Sequence, residues 1–383
     1  MRWSVVVSAV VASLVGLGGT LAILVAAAQA VGADAAETSS WVSALCLATA
    51  VASFGLSLRH RIPVVTAWST PGAVLIASTP GLTGLSSAIG AFLFAGVLVL
   101  LTAAIRPLGT LIERIPASIA GAMLAGILLR FVSTTFESAQ TLPQLVLPLF
   151  LLFLVIRLFT GAGAVLAVLV AGIGLAYALG LAPPWPGGPA LSTLVVTAPS
   201  FEVSALIGLG LPLFLVTMAS QNLPGFAVLR AAGYQVPSRS ILAVTGLVSI
   251  LTAPFGAHAT NAAAITASIC TGPDAHPDPA QRWLAGTAYG ICFALLAAFG
   301  TSLTTFFQAM PPALLVTVAG CALVAPLAGA LGAAMAAPDE RIAAALTLAV
   351  TTSGAGFLGI GSAFWGLVAG LLVIGLGEMR RKL

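Results

Sequence analysis

The side chains able to do chemistry in this chain are few, and they come in three short runs. The first is Trp68-Ser69-Thr70-Pro71, the second Ser220-Gln221-Asn222, and the third Phe255-Gly256-Ala257-His258-Ala259-Thr260-Asn261. Hydroxyls, amides and one imidazole can hold a small polar molecule by hydrogen bonds, and the imidazole can carry a proton. Hydrolytic or redox chemistry would ask for a nucleophile with its base, paired carboxylates or a His/Cys cluster at metal spacing. The sequence offers none of these, so an enzyme is the remotest reading and no cofactor is expected. Cys46, Cys270, Cys292 and Cys321 stand singly among apolar residues, as small packing groups do.

What must position these runs follows from composition. Of 383 residues, 60% are hydrophobic and 6% charged, with a mean hydropathy of +1.14. A soluble domain carries roughly a quarter charged residues, so lipid surrounds most of this chain. One crossing of the hydrocarbon takes about 20 apolar residues. Apolar runs fall at 4–28, 41–58, 62–78, 84–104, 115–131, 143–159, 162–180, 203–221, 238–253, 255–271, 283–300, 311–331, 340–357 and 360–378. Proline and glycine mark the joins, as at Pro183-Pro184-Trp185-Pro186-Gly187-Gly188. Ala28-Gln29-Ala30 resembles a signal-peptide cleavage site. The apolar run before it exceeds the roughly 7–15 residues of such a peptide, and its motif recurs later, so 4–28 reads as the first span.

Charge placement tests the count of fourteen. With the N-terminus in the cytoplasm and sides alternating, every arginine and lysine but one falls inside, and the exception is Arg130. This is the positive-inside bias. It predicts a multi-pass inner-membrane protein with both termini cytoplasmic. The net charge of +4 follows loop topology and points to no nucleic-acid partner.

The halves also resemble each other. Leu14-Val15-Gly16-Leu17-Gly18 lies 192 residues before Leu206-Ile207-Gly208-Leu209-Gly210, and Thr66-Ala67-Trp68-Ser69 lies 192 before His258-Ala259-Thr260-Asn261. Ile115-Pro116-Ala117 and Met310-Pro311-Pro312 lie 195 apart. Seven spans per half is an odd number, so the second half sits upside down. This is the inverted-repeat design of secondary transporters, which bind their cargo at broken helices near the midplane.

One break falls in each half. Val64-Val65-Thr66-Ala67-Trp68 is β-branched and extended in character, and Ser69-Thr70-Pro71 supplies a cap and a first-turn proline. Pro254-Phe255-Gly256 interrupts the other, before His258-Ala259-Thr260-Asn261 and an alanine-rich helix to about Cys270. Each helix N-terminus presents roughly +0.5 charge, so two converging ones can complement one carboxylate without an arginine, and the pattern suits a monovalent anion or a strongly dipolar neutral molecule. Ser69, Thr70, Thr260 and Asn261 are the expected caps and ligands, and Trp68 and Phe255 the flanking rings. Ser220, Gln221 and Asn222, at the expected end of the eighth span, need a cavity or a neighbouring helix. His258 is the one ionisable residue placed inside a span. With a reference pKa of about 6.5 it is the candidate proton carrier.

The stretches Thr66–Ala73, Pro212–Ala227, Pro254–Asn261 and Ile269–Asp278 resemble the benzoate/proton symporter family (BenE type), itself similar to the nucleobase permeases. The resemblance covers essentially the whole chain. It implies proton-coupled uptake of benzoate or a close aromatic carboxylate. It also implies an all-α polytopic fold of fourteen spans in a 7+7 inverted repeat, with spans 3 and 10 each an extended segment plus a half-helix. The core domain would then be 1–105 and 203–301, and the gate domain 106–202 and 302–383, with a possible homodimer through the gate. Nucleobase permeases use glutamates in spans 8 and 10. Ser220-Gln221-Asn222 and His258-Thr260-Asn261 stand in those regions here, which argues against a nucleobase cargo. A permease or exchanger for another small anion or a nucleobase is the alternative reading.

Overall fold

The computed structural model describes residues 2–18, 20–79, 84–105, 116–159, 161–184, 188, 190–357 and 362–382. Arg106, Arg114, Ile115 and Trp185 to Gly187, used above to read topology, repeats and joins, lie outside them. The protein is mostly helical. In chain order the helices are α1 (Trp3–Gly18), α2 (Leu21–Ala30), α3 (Ala35–His60), α4 (Thr70–Ala77), α5 (Gly84–Ala104), α6 (Ala117–Thr141), α7 (Pro143–Arg157) and α8 (Gly161–Ala178). There follow α9 (Val203–Arg230), then α10 (Ser238–Thr252), α11 (Ile265–Thr271), α12 (Trp283–Ala298), α13 (Gly300–Gln308), α14 (Pro312–Met335), α15 (Arg341–Ser353) and α16 (Ser362–Lys382). Two strands, β1 (Thr66–Trp68) and β2 (Thr260–Ala262), precede α4 and α11.

Among the described residues seven helical runs are long and apolar enough to cross a membrane alone, and an eighth if the bent α12–α13 pair is one span. Each of the fourteen expected segments meets an element, though three depart from an unbroken rod. The first comprises α1 and α2, which together still count as one crossing run (Trp3–Ala30), and the third and tenth are each a strand followed by a short helix.

Local sequence accounts for the ends. Asp34 and Glu37 close a capping box on α3: the Asp34 side chain accepts from Glu37 N at 2.7 Å, and Glu37 accepts from Asp34 N at 2.9 Å. Gly256 ends the 3₁₀ turn Ala253–Phe255 with φ of 98° and lies against Trp41, where a Cβ would come within 2.9 Å of the tryptophan Cβ. Only glycine meets both demands.

β1 and β2 pair antiparallel, with Thr66 opposite Ala262, Ala67 opposite Asn261 and Trp68 opposite Thr260. A two-stranded sheet inside a membrane exposes two edges to a solvent that cannot hydrogen-bond. Here side chains answer them. Ser53 Oγ accepts from Thr66 N at 2.9 Å, Ser249 Oγ from Thr260 N at 2.8 Å, and Asn222 Oδ1 from Ala262 N at 2.9 Å.

The helices pack in two groups. α3 lies along α12 and α5 along α10, while α6 packs on α14 and α15, α7 on α8, and α15 on α16. An extended stretch from 190 to 200 crosses the first group. Its amides donate in turn to Ser302 Oγ, the Ala298 carbonyl, Ser40 Oγ, the Pro254 carbonyl and the Ser86 carbonyl, at 2.8–2.9 Å.

The eighth segment corrects one expectation. It does not end at Ser220-Gln221-Asn222. The helix runs on to Arg230 and widens into π turns at Leu206–Gly210 and Met218–Asn222. Each π turn is followed, after one leucine, by a proline, Pro212 or Pro224. A proline ring clashes with the carbonyl four residues back and removes a donor. A widened turn relieves that conflict, and such turns gather at functional sites.

Candidate functional site

Between the two groups of helices lies a cavity of about 920 Å³. Its wall is apolar except at a few places. Thr70 and Pro71 open α4 on one side, and Ala263, Ala264 and Ile265 open α11 on the other, so both broken segments end on the same space. Ser220 and Gln221 reach it from the π turn of α9. Trp68 forms an aromatic wall with Phe293, their rings edge to face at 5.6 Å, and Tyr289 stands 4.7 Å further along.

At α4 the local sequence does what its residue types dictate. Ser69 is the N-cap, its Oγ accepting from Gly72 N at 3.1 Å, and Pro71 sits in the first turn. Thr260 and Asn261 do not cap α11. They are spent in β2, because pairing with β1 carries the strand to Ala262, and the cap position falls to Ala264, which has no side-chain acceptor. Asn261 is fully buried, and among the described residues neither atom of its amide has a hydrogen-bond partner. Its cross-strand neighbour Ala67 lines the cavity, and paired residues share one face of a sheet.

Four of the ten named residues line the cavity: Trp68, Thr70, Ser220 and Gln221. Ser69 stands immediately behind as the cap. Asn222 is turned into the protein, where it holds β2 and donates to Met218 Sδ at 3.4 Å. Phe255 lies in the 3₁₀ turn, its carbonyl accepting from Ser40 Oγ at 3.0 Å, and Phe293 takes the place expected for it. Thr260 is buried beside Ser249 and is not part of the wall.

His258 is fully buried and lies outside the wall. Trp41 Nε1 donates to its Nδ1 at 3.3 Å, so the proton of the neutral ring sits on Nε2, which donates to the Ser69 carbonyl at 2.9 Å. Taking up a second proton at Nδ1 would require the Trp41 bond to break. The imidazole therefore touches the cavity through one residue, the cap of α4.

Sequence reading missed several wall residues. Thr20 sits in the break between α1 and α2, accepts from Trp68 Nε1 at 3.1 Å and thereby fixes that ring. The signal was the Gly18-Gly19 pair inside an apolar run. Thr266, Tyr289 and Phe293 gave no signal, being single residues in ordinary helices. Arg157, at the end of α7, is the one charged side chain on the wall among the described residues. It stands exposed, its guanidinium 5.6 Å from the Phe153 ring. No carboxylate lines the cavity among the described residues, and no group of three metal-ligating side chains occurs among them.

Residues 1–376 match the family model described as benzoate membrane transport protein. The chain belongs to the BenE family. Within that family's reach it is 41% identical over 362 residues to the inner membrane protein YdcO of Escherichia coli (strain K12), covering 94% of this chain and 92% of that one. It is 34% identical over 369 residues to the benzoate membrane transport protein of Acinetobacter baylyi, covering 96% and 94%. A BenE protein is a membrane transporter, not an enzyme. Among solved structures this BenE chain is similar in fold to the transmembrane domain of the cyanobacterial bicarbonate transporter BicA, with a TM-score of 0.61 at 13% identity over 96% of this chain and 97% of that one. It is similar also to SLC26A9, with a TM-score of 0.65 at 14% identity over 97% of this chain and 64% of that one.

Proposed function

We propose that this transporter carries benzoate or a similar aromatic carboxylate into the cell together with a proton, by moving the first group of helices as a core against the second as a gate. The observation that carries the cargo reading is the make-up of the cavity wall. It holds the capped N-terminus of α4, the amide of Gln221 and the hydroxyl of Thr70, with Trp68 and Phe293 as aromatic wall; among the described residues the one charged group is the Arg157 cation. Positive potential and hydrogen-bond donors suit a carboxylate, and edge-on aromatic walls suit a ring. The benzoate transport protein of Acinetobacter baylyi, a close relative in length and identity, supports the same cargo.

The inverted relation of the halves is supported by the packing. Numbering the spans one to fourteen, contacts between 2 and 11 and between 4 and 9 exchange when the halves are exchanged. The antiparallel pair β1–β2 has the local twofold that such a relation demands. The positive-inside bias puts Arg157 on the cytoplasmic side, so the cavity faces inward.

Proteoliposomes given an inward proton gradient are expected to accumulate labelled benzoate. Uptake indifferent to both the gradient and an ionophore would defeat the coupling. A small inorganic anion is the second reading, favoured by the likeness in fold to a bicarbonate transporter. Competition separates the two: unlabelled benzoate should suppress uptake where bicarbonate and uracil do not. For the proton, the geometry supports His258 acting on the site through Ser69. His258→Gln is expected to retain part of the downhill benzoate flux while losing its response to the proton gradient. Gradient-driven accumulation at the unsubstituted level would remove His258 from the coupling.

A further inference from the structure

Arg130 is the basic residue that the alternating count leaves on the wrong side, and nothing in the cavity uses it. It lies on α6, six residues beyond Leu124, a residue of the wall, which is about 9 Å along a helix. α6 meets the wall from Ala117 to Leu124, and α7, joined to its far end, returns to Arg157, so Arg130 lies beyond the wall residues of α6, at the end away from Arg157. Its part-buried guanidinium leaves α6 for the ends of two other helices. Nη1 donates to the Ser78 carbonyl at 3.3 Å, and Ser78 is the C-cap of α4. The same guanidinium lies over Gly354, the C-cap of α15 with φ of 68°, so closely that a Cβ there would collide with Nη1.

The carbonyl end of a helix carries the negative pole of its dipole, and one cation here answers two such ends. α4 belongs to the broken segment whose other end fronts the cavity. α6 and α15 belong to the opposing group of helices. Under the movement proposed above, a side chain bridging the groups on the side away from Arg157 holds only while that side is shut. We propose that Arg130 is a positioning residue for transport: it ties α4 to α6 and α15 while the cavity opens toward Arg157, and it lets go when the cavity turns to the other face. This rests on the alternating movement proposed above, but not on the identity of the cargo.

Val74 lies one helical turn before Ser78 and is fully buried, on the helix whose end Arg130 holds, so its exposure reports loosening of α4. In a chain freed of its native cysteines, Val74→Cys is labelled in intact cells by a membrane-impermeant maleimide. Arg130→Ala should raise the labelling rate about tenfold, equivalent to about 1.4 kcal/mol, and Arg130→Lys should bring it back toward the starting rate. Gly354→Ala, which crowds the guanidinium while keeping the arginine and also strains a left-handed cap, should raise the rate alike, and in the Arg130→Ala background only the smaller effect of that strain should remain. Buried Cys46, kept as the sole cysteine in a parallel series, should stay unlabelled throughout. An unchanged rate at position 74 overturns the proposal. So does a rise at both positions, since that is general loosening. Should Arg130→Ala not be recoverable, Gly354→Ala carries the same comparison. Because the readout needs no substrate, its failure leaves the benzoate reading standing, and loss of benzoate uptake leaves the tie standing.

Discussion

Asn222→Leu is expected to lower thermal stability and benzoate uptake together. The side chain is fully buried, and its Oδ1 is the acceptor for Ala262 N at the edge of β2. Leucine is of similar size but leaves that amide without a partner, at a cost of about 1–3 kcal/mol. The strand can recover the bond only by moving, and β2 sets where α11 begins. Uptake should fall by at least about tenfold, the effect of roughly 1.4 kcal/mol on a rate. Thermal unfolding and saturation uptake measured on the same preparation check this. Lost uptake with the original unfolding temperature would mean that Asn222 meets the cargo directly.

Gln221→Leu is expected to give the opposite pattern, with stability kept and transport lost. Gln221 lines the cavity from the π turn of α9, and its amide spends no hydrogen bond on the protein among the described residues. Removing it orphans nothing. What disappears is a donor to a carboxylate, and a hydrogen bond to a charged group contributes about 1.5–3 kcal/mol. That corresponds to a loss of roughly 10- to 100-fold in kcat/KM for uptake. Gln221→Glu should lose more at neutral pH, because it sets one carboxylate against another. Equal uptake by all three proteins would move the cargo away from α9.

These two neighbours show how far the sequence could be read. That Ser220-Gln221-Asn222 needed polar company was legible, since three polar side chains in lipid are costly. Which of them faces the cavity was not, because an α-helix and a π turn point the same residues in different directions. The α4 break was legible to the residue: β-branched Val64, Val65 and Thr66, then Ser69 as cap and Pro71 in the first turn. The matching break in the other half was legible only as a break. Thr260 and Asn261 are good caps by type, yet pairing with β1 claims them for the strand, and no local propensity encodes partners 192 and 194 residues away. His258 was readable as buried and ionisable, but its bonds to Trp41 and Ser69 belong to three separate segments brought together by the fold. Arg130 was legible as an anomaly of charge, and only the helix ends around it give that anomaly a meaning.

The extended stretch from 190 to 200 limits how the molecule can move. It is stitched in sequence to α13, α12, α3, the turn after α10, and α5, like a seam sewn across the caps of several staves. Staves so joined cannot splay or breathe singly. In the movement proposed above they would shift as one block, with the give in the joints between blocks.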